Sequence, residues 1–133
     1  MVGDRGGGYD LARQALRLVL TRFDLEQHIP PLAERILQQL GLNSLSELGA
    51  WAMDADKMSV ARLAPSVFEA VHRGEPEILE VAQEGASVLA EYAKVVARRL
   101  DWENPPVRLF GGLFTKHKDY ASCLLYTSDA ADE

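Results

Sequence analysis

The first stretch of the chain combines glycines with a carboxylate and a guanidinium group, a mixture that suits contact with a polar ligand. Gly3 and Gly6 to Gly8 surround Asp4 and Arg5, and a helical pattern begins at Asp10. Glycine has no Cβ, so backbone N–H groups can approach a ligand closely, and a helix start favours anionic or hydroxyl-rich groups. From these residues alone, a flexible terminus is an open alternative.

A second glycine pair lies near the other end of the chain. After Asn104-Pro105-Pro106, the apolar run Val107–Phe110 predicts a short strand, and Gly111-Gly112 follows it at once. Leu113 and Phe114 then lead into a predicted helix. Strand, glycine pair and helix is a layout in which a nucleotide packs against bare backbone. A tight structural turn explains the same residues and stays open.

Composition and charge bound the functional classes. The chain has 133 residues and a formal net charge of −6, which fits one globular domain and disfavours a nucleic-acid surface. No apolar run approaches the ~20 residues that a membrane span needs. A single cysteine, Cys123, excludes an internal disulfide framework and a multi-thiolate metal site. We therefore expect a cytoplasmic protein without nucleic-acid or membrane partners.

Five helical segments are predicted between the glycine stretches. Asp10 is the predicted N-cap of the first, which runs to about Phe23. The others are a helix from Pro31 to Leu40 stopped by Gly41, a short helix opened by the Ser44–Glu47 capping box, a helix from Ser59 to Gly74 with a kink near Pro65, and a long helix from Ile78 to Leu100. Small residues along the long helix, Gly85 among them, predict close packing against another element.

The last eleven residues differ in character from the rest. Residues 123–133 resemble the translation of a transposon-type sequencing adapter, so we predict a native domain over 1–122 and a non-native tail of low order after it. Removing the tail would change the formal charge from −6 to −3 and remove the only cysteine.

Three stretches together resemble one family. GDRGGGYDLARQAL at Gly3–Leu16 resembles the GDEGSGYWIGxxAL stretch of the BadF/BadG/BcrA/BcrD-type ATPases, which include N-acetylglucosamine kinases. PPVRLFGGLF at Pro105–Phe114 is similar to that family's adenosine motif, and the helical segment over 61–100 resembles the family's in order and spacing. The resemblance covers Val2 to about Tyr120.

The resemblance implies a mainly α chain with a short α/β remnant, an incomplete C-terminal part of a ribonuclease-H-like (actin-like) ATPase domain. It implies ATP and Mg²⁺ as cofactors of the complete protein, an amino sugar as substrate and a homodimer. The sugar site would comprise Gly3, Asp4, Gly6, Gly7 and Gly8, and the nucleotide site Gly111, Gly112, Leu113 and Phe114. The catalytic base and phosphate loops of the family would lie upstream of Gly3, so no catalytic or metal-binding residue is assigned here.

Departures from the family pattern leave the function with alternatives. Arg5 stands where the family has Glu, Gly7 where it has Ser, and Asp10-Leu11-Ala12 where it has Trp-Ile-Gly. These differences bear on the sugar more than on the nucleotide. An ATPase activator of a 2-hydroxyacyl-CoA dehydratase or benzoyl-CoA reductase would need cluster-binding cysteines, and none occurs between Val2 and Ser122. A non-catalytic helical interaction module is the alternative from another class.

Overall fold

A computed structural model describes residues 6–109, 112–122 and 124, and in these ranges the protein is mainly α-helical with no strand. The helices are α1 Gly8–Glu26, α2 Pro31–Leu40, α3 Leu45–Asp54, α4 Lys57–Ala61, α5 Ala64–His72, α6 Pro76–Arg99 and α7 Gly112–Lys116. A further helical segment covers 118–122. The predicted mainly α class is confirmed.

Helix α1 is the centre of the packing, because α3, α4, α5 and α6 all contact it. Its buried face carries Leu11, Ala15 and Val19, which recur at helical spacing. Helix α2 packs on α3 and α5, and α5 packs on α6. The largest fully buried side chains come mostly from α1, α2, α3, α5 and α6: Tyr120, Leu11, Leu32, Ile36, Leu48, Leu63, Ile78, Val19 and Val67.

Local chemistry sets the bounds of α2 and α3 as predicted. Pro31 occupies the first turn of α2, and Gly41 closes it in the left-handed region at φ 69°. Ser44 caps α3 by accepting a 3.2 Å hydrogen bond from the Glu47 N–H. The Glu47 carboxylate accepts in return from the Asn43 N–H at 2.6 Å, one residue earlier than the standard capping box.

The single helix predicted from Ser59 to Gly74 is wrong, because two helices occupy this stretch. Asp56 caps α4 by accepting from the Ser59 N–H at 2.7 Å, so Ser59 lies inside the helix and not at its cap. Pro65 lies in the first turn of α5, where its missing N–H costs no helical hydrogen bond. The proline thus begins a new helix where a kink was expected.

Helix α6 is the longest element, and its start is tied to α2. The Arg35 guanidinium donates to the Glu75 carboxylate at 2.6 Å, with both side chains largely buried. At the other end, Asp101 takes a positive φ of 51° and the chain turns back. This turn directs the segment 102–109 back along the last turns of α6.

The strand predicted over Val107–Phe110 is absent at 107–109, and Phe110 lies outside the described residues. A strand needs a neighbour to satisfy its backbone groups, and the described part of the chain offers none. Leu109 packs on the core, whereas Val107 is exposed.

Beyond the domain boundary predicted at 122, the structure describes Leu124. This residue is helical and buried in the core cluster, which differs from the low order expected of the tail. The other residues of 123–133 lie outside the described residues, and the boundary stays a prediction.

Candidate functional site: the glycine loop and its anchor

The structure describes the predicted sugar loop from Gly6 onwards, and Gly3 and Asp4 lie outside the described residues. Gly6 takes a positive φ of 84°, which favours glycine. Gly7 is extended and forms the N-cap of α1, and Gly8 is its first helical residue. The loop therefore runs directly into the N-terminus of the central helix.

Asp10 stabilises the start of α1. It is the third residue of this helix and not the N-cap that the sequence predicted. Its carboxylate is buried and accepts a 2.9 Å hydrogen bond from the Gly6 N–H. Gln14 donates to it at 3.0 Å and Arg13 at 3.3 Å. The prediction was wrong because the helix already begins at Gly8, which moves the cap three residues earlier, to Gly7.

The environment keeps Asp10 ionised. Burial by itself raises the pKa of this carboxyl, but the hydrogen bonds from the Gly6 amide and from two side chains outweigh burial. The net result is a pKa below the ordinary value. The buried carboxylate is thus a fixed negative acceptor beneath the loop.

Tyr120 secures the same glycine from the far end of the chain. The Tyr120 hydroxyl donates to the Gly6 carbonyl at 2.6 Å, and the whole residue is inaccessible to solvent. Both backbone polar groups of Gly6 are therefore satisfied, one by Asp10 and one by a residue 114 positions later. We call Gly6, Asp10 and Tyr120 the loop anchor.

The loop backbone lies close to the backbone of α6, where a Cβ on Gly6 would meet backbone and a Cβ on Gly85 would meet two side chains. A Cβ on Gly85 would lie 2.7 Å from the Leu11 side chain and 3.0 Å from the Tyr120 hydroxyl. A Cβ on Gly6 would lie 2.5 Å from Leu89 and 2.8 Å from the Gly85 carbonyl oxygen. Such distances are shorter than van der Waals contact, so the close packing predicted for the small residues of α6 is confirmed at Gly85.

The predicted nucleotide segment approaches the anchor through aromatic contacts. Gly111 lies outside the described residues, and Gly112 begins α7. Leu113 and Phe114 are half-buried against the core, and the Phe114 ring is parallel to the Tyr120 ring at a centroid distance of 6.0 Å. One residue, Tyr120, therefore contacts both the loop and the segment that were predicted as separate halves of a site.

Tyr120 also makes aromatic contact with Phe68. The Phe68 ring lies 5.4 Å from it and stacks on His117 at 4.0 Å. Burial, with the neighbouring Lys116 charge as a smaller contribution, lowers the pKa of His117. The ring is thus favoured in its neutral form, which suits a stacked position on the core.

Two side chains of the anchor were not recognised as such from the sequence. Tyr120 follows a polar stretch without a distinctive pattern, and Asp10 was interpreted only as a helix cap. A long-range partner of Gly6 carries no signal in local spacing, because 114 residues separate it from Tyr120.

Within the described ranges, no three His, Cys, Asp or Glu side chains converge as a metal site. Across the same residues, no helix combines the length and apolar character needed to cross a bilayer. No family model matches this sequence, and no curated protein matches it either.

Proposed function

We propose that the chain contributes the sugar-binding loop and the adenosine motif of an ATP-dependent kinase for N-acetylglucosamine or a related amino sugar. The observation that carries the proposal is the contact of Tyr120 with both Gly6 and Phe114. A phosphoryl transfer needs its sugar and nucleotide segments at one place with fixed geometry. A buried residue that contacts both segments supports that use.

The anchored part of the loop suits recognition of hydroxyl groups. Gly7 and Gly8 carry no side chain at the start of α1, so their backbone can approach a sugar closely. In the proposal, Asp4 accepts hydrogen bonds from two sugar hydroxyls. Gly3 is a further backbone contact in the proposal, whereas Gly6 is buried with both backbone polar groups satisfied and supports the loop.

ATP and Mg²⁺ serve the complete enzyme, and the chain supplies only part of their environment. At the nucleotide side, Gly112 starts α7, while Leu113 and Phe114 face the core and present an apolar support. This arrangement fits an adenine contact at Gly111–Phe114. Because the resemblance places the phosphate loops and the catalytic base upstream of Gly3, the proposal assigns neither the metal nor the base to this chain.

The finer structural proposal is that these helices belong to the C-terminal part of a ribonuclease-H-like ATPase domain in a cytoplasmic, homodimeric enzyme. The family's dehydratase or reductase activators are less well supported, since no cysteine occurs from Val2 to Ser122. One observation favours a non-catalytic helical module. All the regular secondary structure among the described residues is helical.

The decisive experiment compares the complete reading frame with this chain alone. We expect the complete protein to phosphorylate N-acetylglucosamine and this chain to show no turnover and no tight ATP binding. An upstream Asp-Gly-Gly-Thr loop in the genomic sequence favours the kinase, whereas a stop codon directly before Met1 favours the helical module. A complete protein that transfers no phosphoryl group to an amino sugar would refute the proposal.

A residue-level test addresses Asp4. In the complete protein, Asp4→Asn should lower kcat/KM for the sugar by roughly 10- to 150-fold, because charge-assisted hydrogen bonds contribute ~1.5–3 kcal/mol. The KM for ATP should be unchanged. Asp24→Asn, at an exposed position of α1, is the matched control and should have no effect on either parameter.

A further inference from the structure

Lys57 lies beside the first turn of α1, although it belongs to another helix. Its Nζ atom is 5.0 Å from the centroid of the Tyr9 ring. Tyr9 is the second residue of α1, directly after Gly8, and its half-buried side chain packs on the core. A cation at this distance is attracted by the negative face of an aromatic ring. Lys57 therefore links α4 to the turn that follows the glycine loop.

The place of Lys57 in its own helix does not explain why a lysine stands there. Asp56 is the N-cap of α4, and Lys57 follows it as the first helical residue. The first turn of a helix carries partial positive charge and favours anionic side chains. Lys57 is therefore electrostatically unfavourable for α4. Any stabilising effect must come from its contacts with other groups, and Tyr9 supplies one.

The first turn of α1 gains from outside support because it supplies little of its own. Gly7 is the N-cap and has no side chain to accept a hydrogen bond from the helix. Within the turn, the Leu11 N–H donates to the Gly7 carbonyl at 3.0 Å. Glycine also loses more conformational freedom on folding than any other residue. The loop anchor holds Gly6 before this turn, and the contact between Lys57 and Tyr9 holds the turn itself.

We propose that Lys57 is a positioning residue of the sugar loop, which it holds through the Tyr9 ring. This role rests on the proposed function, in which the backbone of Gly7 and Gly8 contacts the sugar. Such contacts depend on a turn whose geometry is fixed before the ligand arrives, since otherwise binding must also order the turn. Lys57 acts on the sugar through Tyr9 and the two glycines, so it is not a catalytic residue.

Amide hydrogen exchange on this chain tests the structural part of the proposal. Lys57→Met keeps the length of the side chain and removes its charge. It should speed exchange of the Leu11 amide, which donates to Gly7, by roughly 2- to 5-fold and leave the amides of α2 unchanged. Lys57→Arg keeps a cation for the ring and should restore slow exchange. Lys94→Met is the matched control, because Lys94 lies on α6 beside the exposed Glu91 and should not affect Leu11.

A double-mutant cycle separates the Tyr9 contact from every other contact of Lys57. Tyr9→Leu removes the ring face and should speed Leu11 exchange by at least the same factor. Adding Lys57→Met to Tyr9→Leu should then cause no further increase, because the lysine has lost the ring through which it acts. Far-UV circular dichroism would verify that each variant is folded. Unchanged Leu11 exchange in Lys57→Met, or full additivity of the two substitutions, would overturn the proposal.

Kinetics of the complete protein test the functional part. Lys57→Met should raise the KM for the amino sugar by roughly 2- to 5-fold and leave kcat and the KM for ATP unchanged, because the turn contributes equally to ground-state and transition-state binding. Lys57→Arg should restore the KM, and Lys94→Met should not alter it. An active enzyme whose sugar KM is unaffected by Lys57→Met contradicts this role and leaves the proposed function intact. A complete protein that phosphorylates no amino sugar refutes the proposed function and this role together.

Discussion

The two halves of α6 carry the same helical pattern but have different surroundings. Over 78–90, the apolar face meets α1 and α5, and Gly85 lets the backbone of the glycine loop lie on it. Over 92–100, the face continues with Tyr92, Val96 and Leu100, all exposed. Amphipathic spacing therefore determines which face is apolar, whereas the crossing of other elements determines how much of that face is buried.

The most direct way to break this comparison is to truncate one apolar side chain in each half. Ile78→Ala removes a fully buried side chain and should lower the free energy of unfolding by about 2–5 kcal/mol. Val96→Ala should change it by less than about 0.5 kcal/mol, because no cavity forms at an exposed site. Urea denaturation at low micromolar concentration measures both, and similar losses in the two variants would contradict the comparison.

The packing of the first half depends on the missing side chain of Gly85. Gly85→Ala forces a methyl group against Leu11 and Tyr120 and should destabilise the fold by about 1–3 kcal/mol. Gly49→Ala in α3 is the matched control, since a Cβ there has no atom within 4 Å. The control should be neutral or stabilising by up to about 1 kcal/mol, as alanine favours helix. Equal effects in a denaturation series would disprove close packing at Gly85.

The hydroxyl group of Tyr120 can be tested separately from its aromatic ring. Tyr120→Phe keeps the aromatic packing but leaves the buried Gly6 carbonyl without this donor, at a cost of about 1–2 kcal/mol. Hydrogen exchange should be faster at the Gly6 amide and unchanged in the last turns of α6. Unaltered exchange at Gly6 would show that the hydroxyl does not hold the loop.

The smallest expected effect concerns the charge of Asp10. Its folded-state pKa is depressed, so its stabilising contribution is present above the ordinary value of 3.8 and is lost as the pH falls through the folded pKa. Asp10→Asn keeps an acceptor for Gly6 but loses the charge, so we expect a deficit below about 1 kcal/mol near neutral pH that vanishes in acid. A deficit that stays constant from pH 7 to pH 2 would contradict this assignment.

Much of the fold follows from short-range chemistry. Pro31 and Gly41 delimit α2, and Ser44 with Glu47 begins α3, because each feature satisfies backbone groups within a few residues of itself. The same reasoning failed where two caps competed. Asp56 and Ser59 are both suitable N-cap residues. The sequence does not show that Asp56 is the one used, or that Pro65 then starts a second helix.

The residue types of the candidate site could be predicted from the sequence, but their spatial arrangement could not. The glycines of the loop, including Gly6 and Gly7, indicate close backbone approach, and the structure gives Gly6 a positive φ. The predicted strand at 107–109 did not form, because strand hydrogen bonds need a neighbour and the described chain provides none. Pattern alone cannot say whether a partner is present.

The sequence by itself determined the bounds of α2 and the start of α3, the apolar faces of the long helices and the glycines that allow close backbone approach. The tertiary structure alone decided that Gly6 is held between Asp10 and Tyr120, and that α6 is covered for half its length. The physical reason is the distance along the chain over which each interaction acts. Capping and helical periodicity act over one or two turns, whereas burial and the pairing of Gly6 with Tyr120 depend on elements that meet only after the chain has folded.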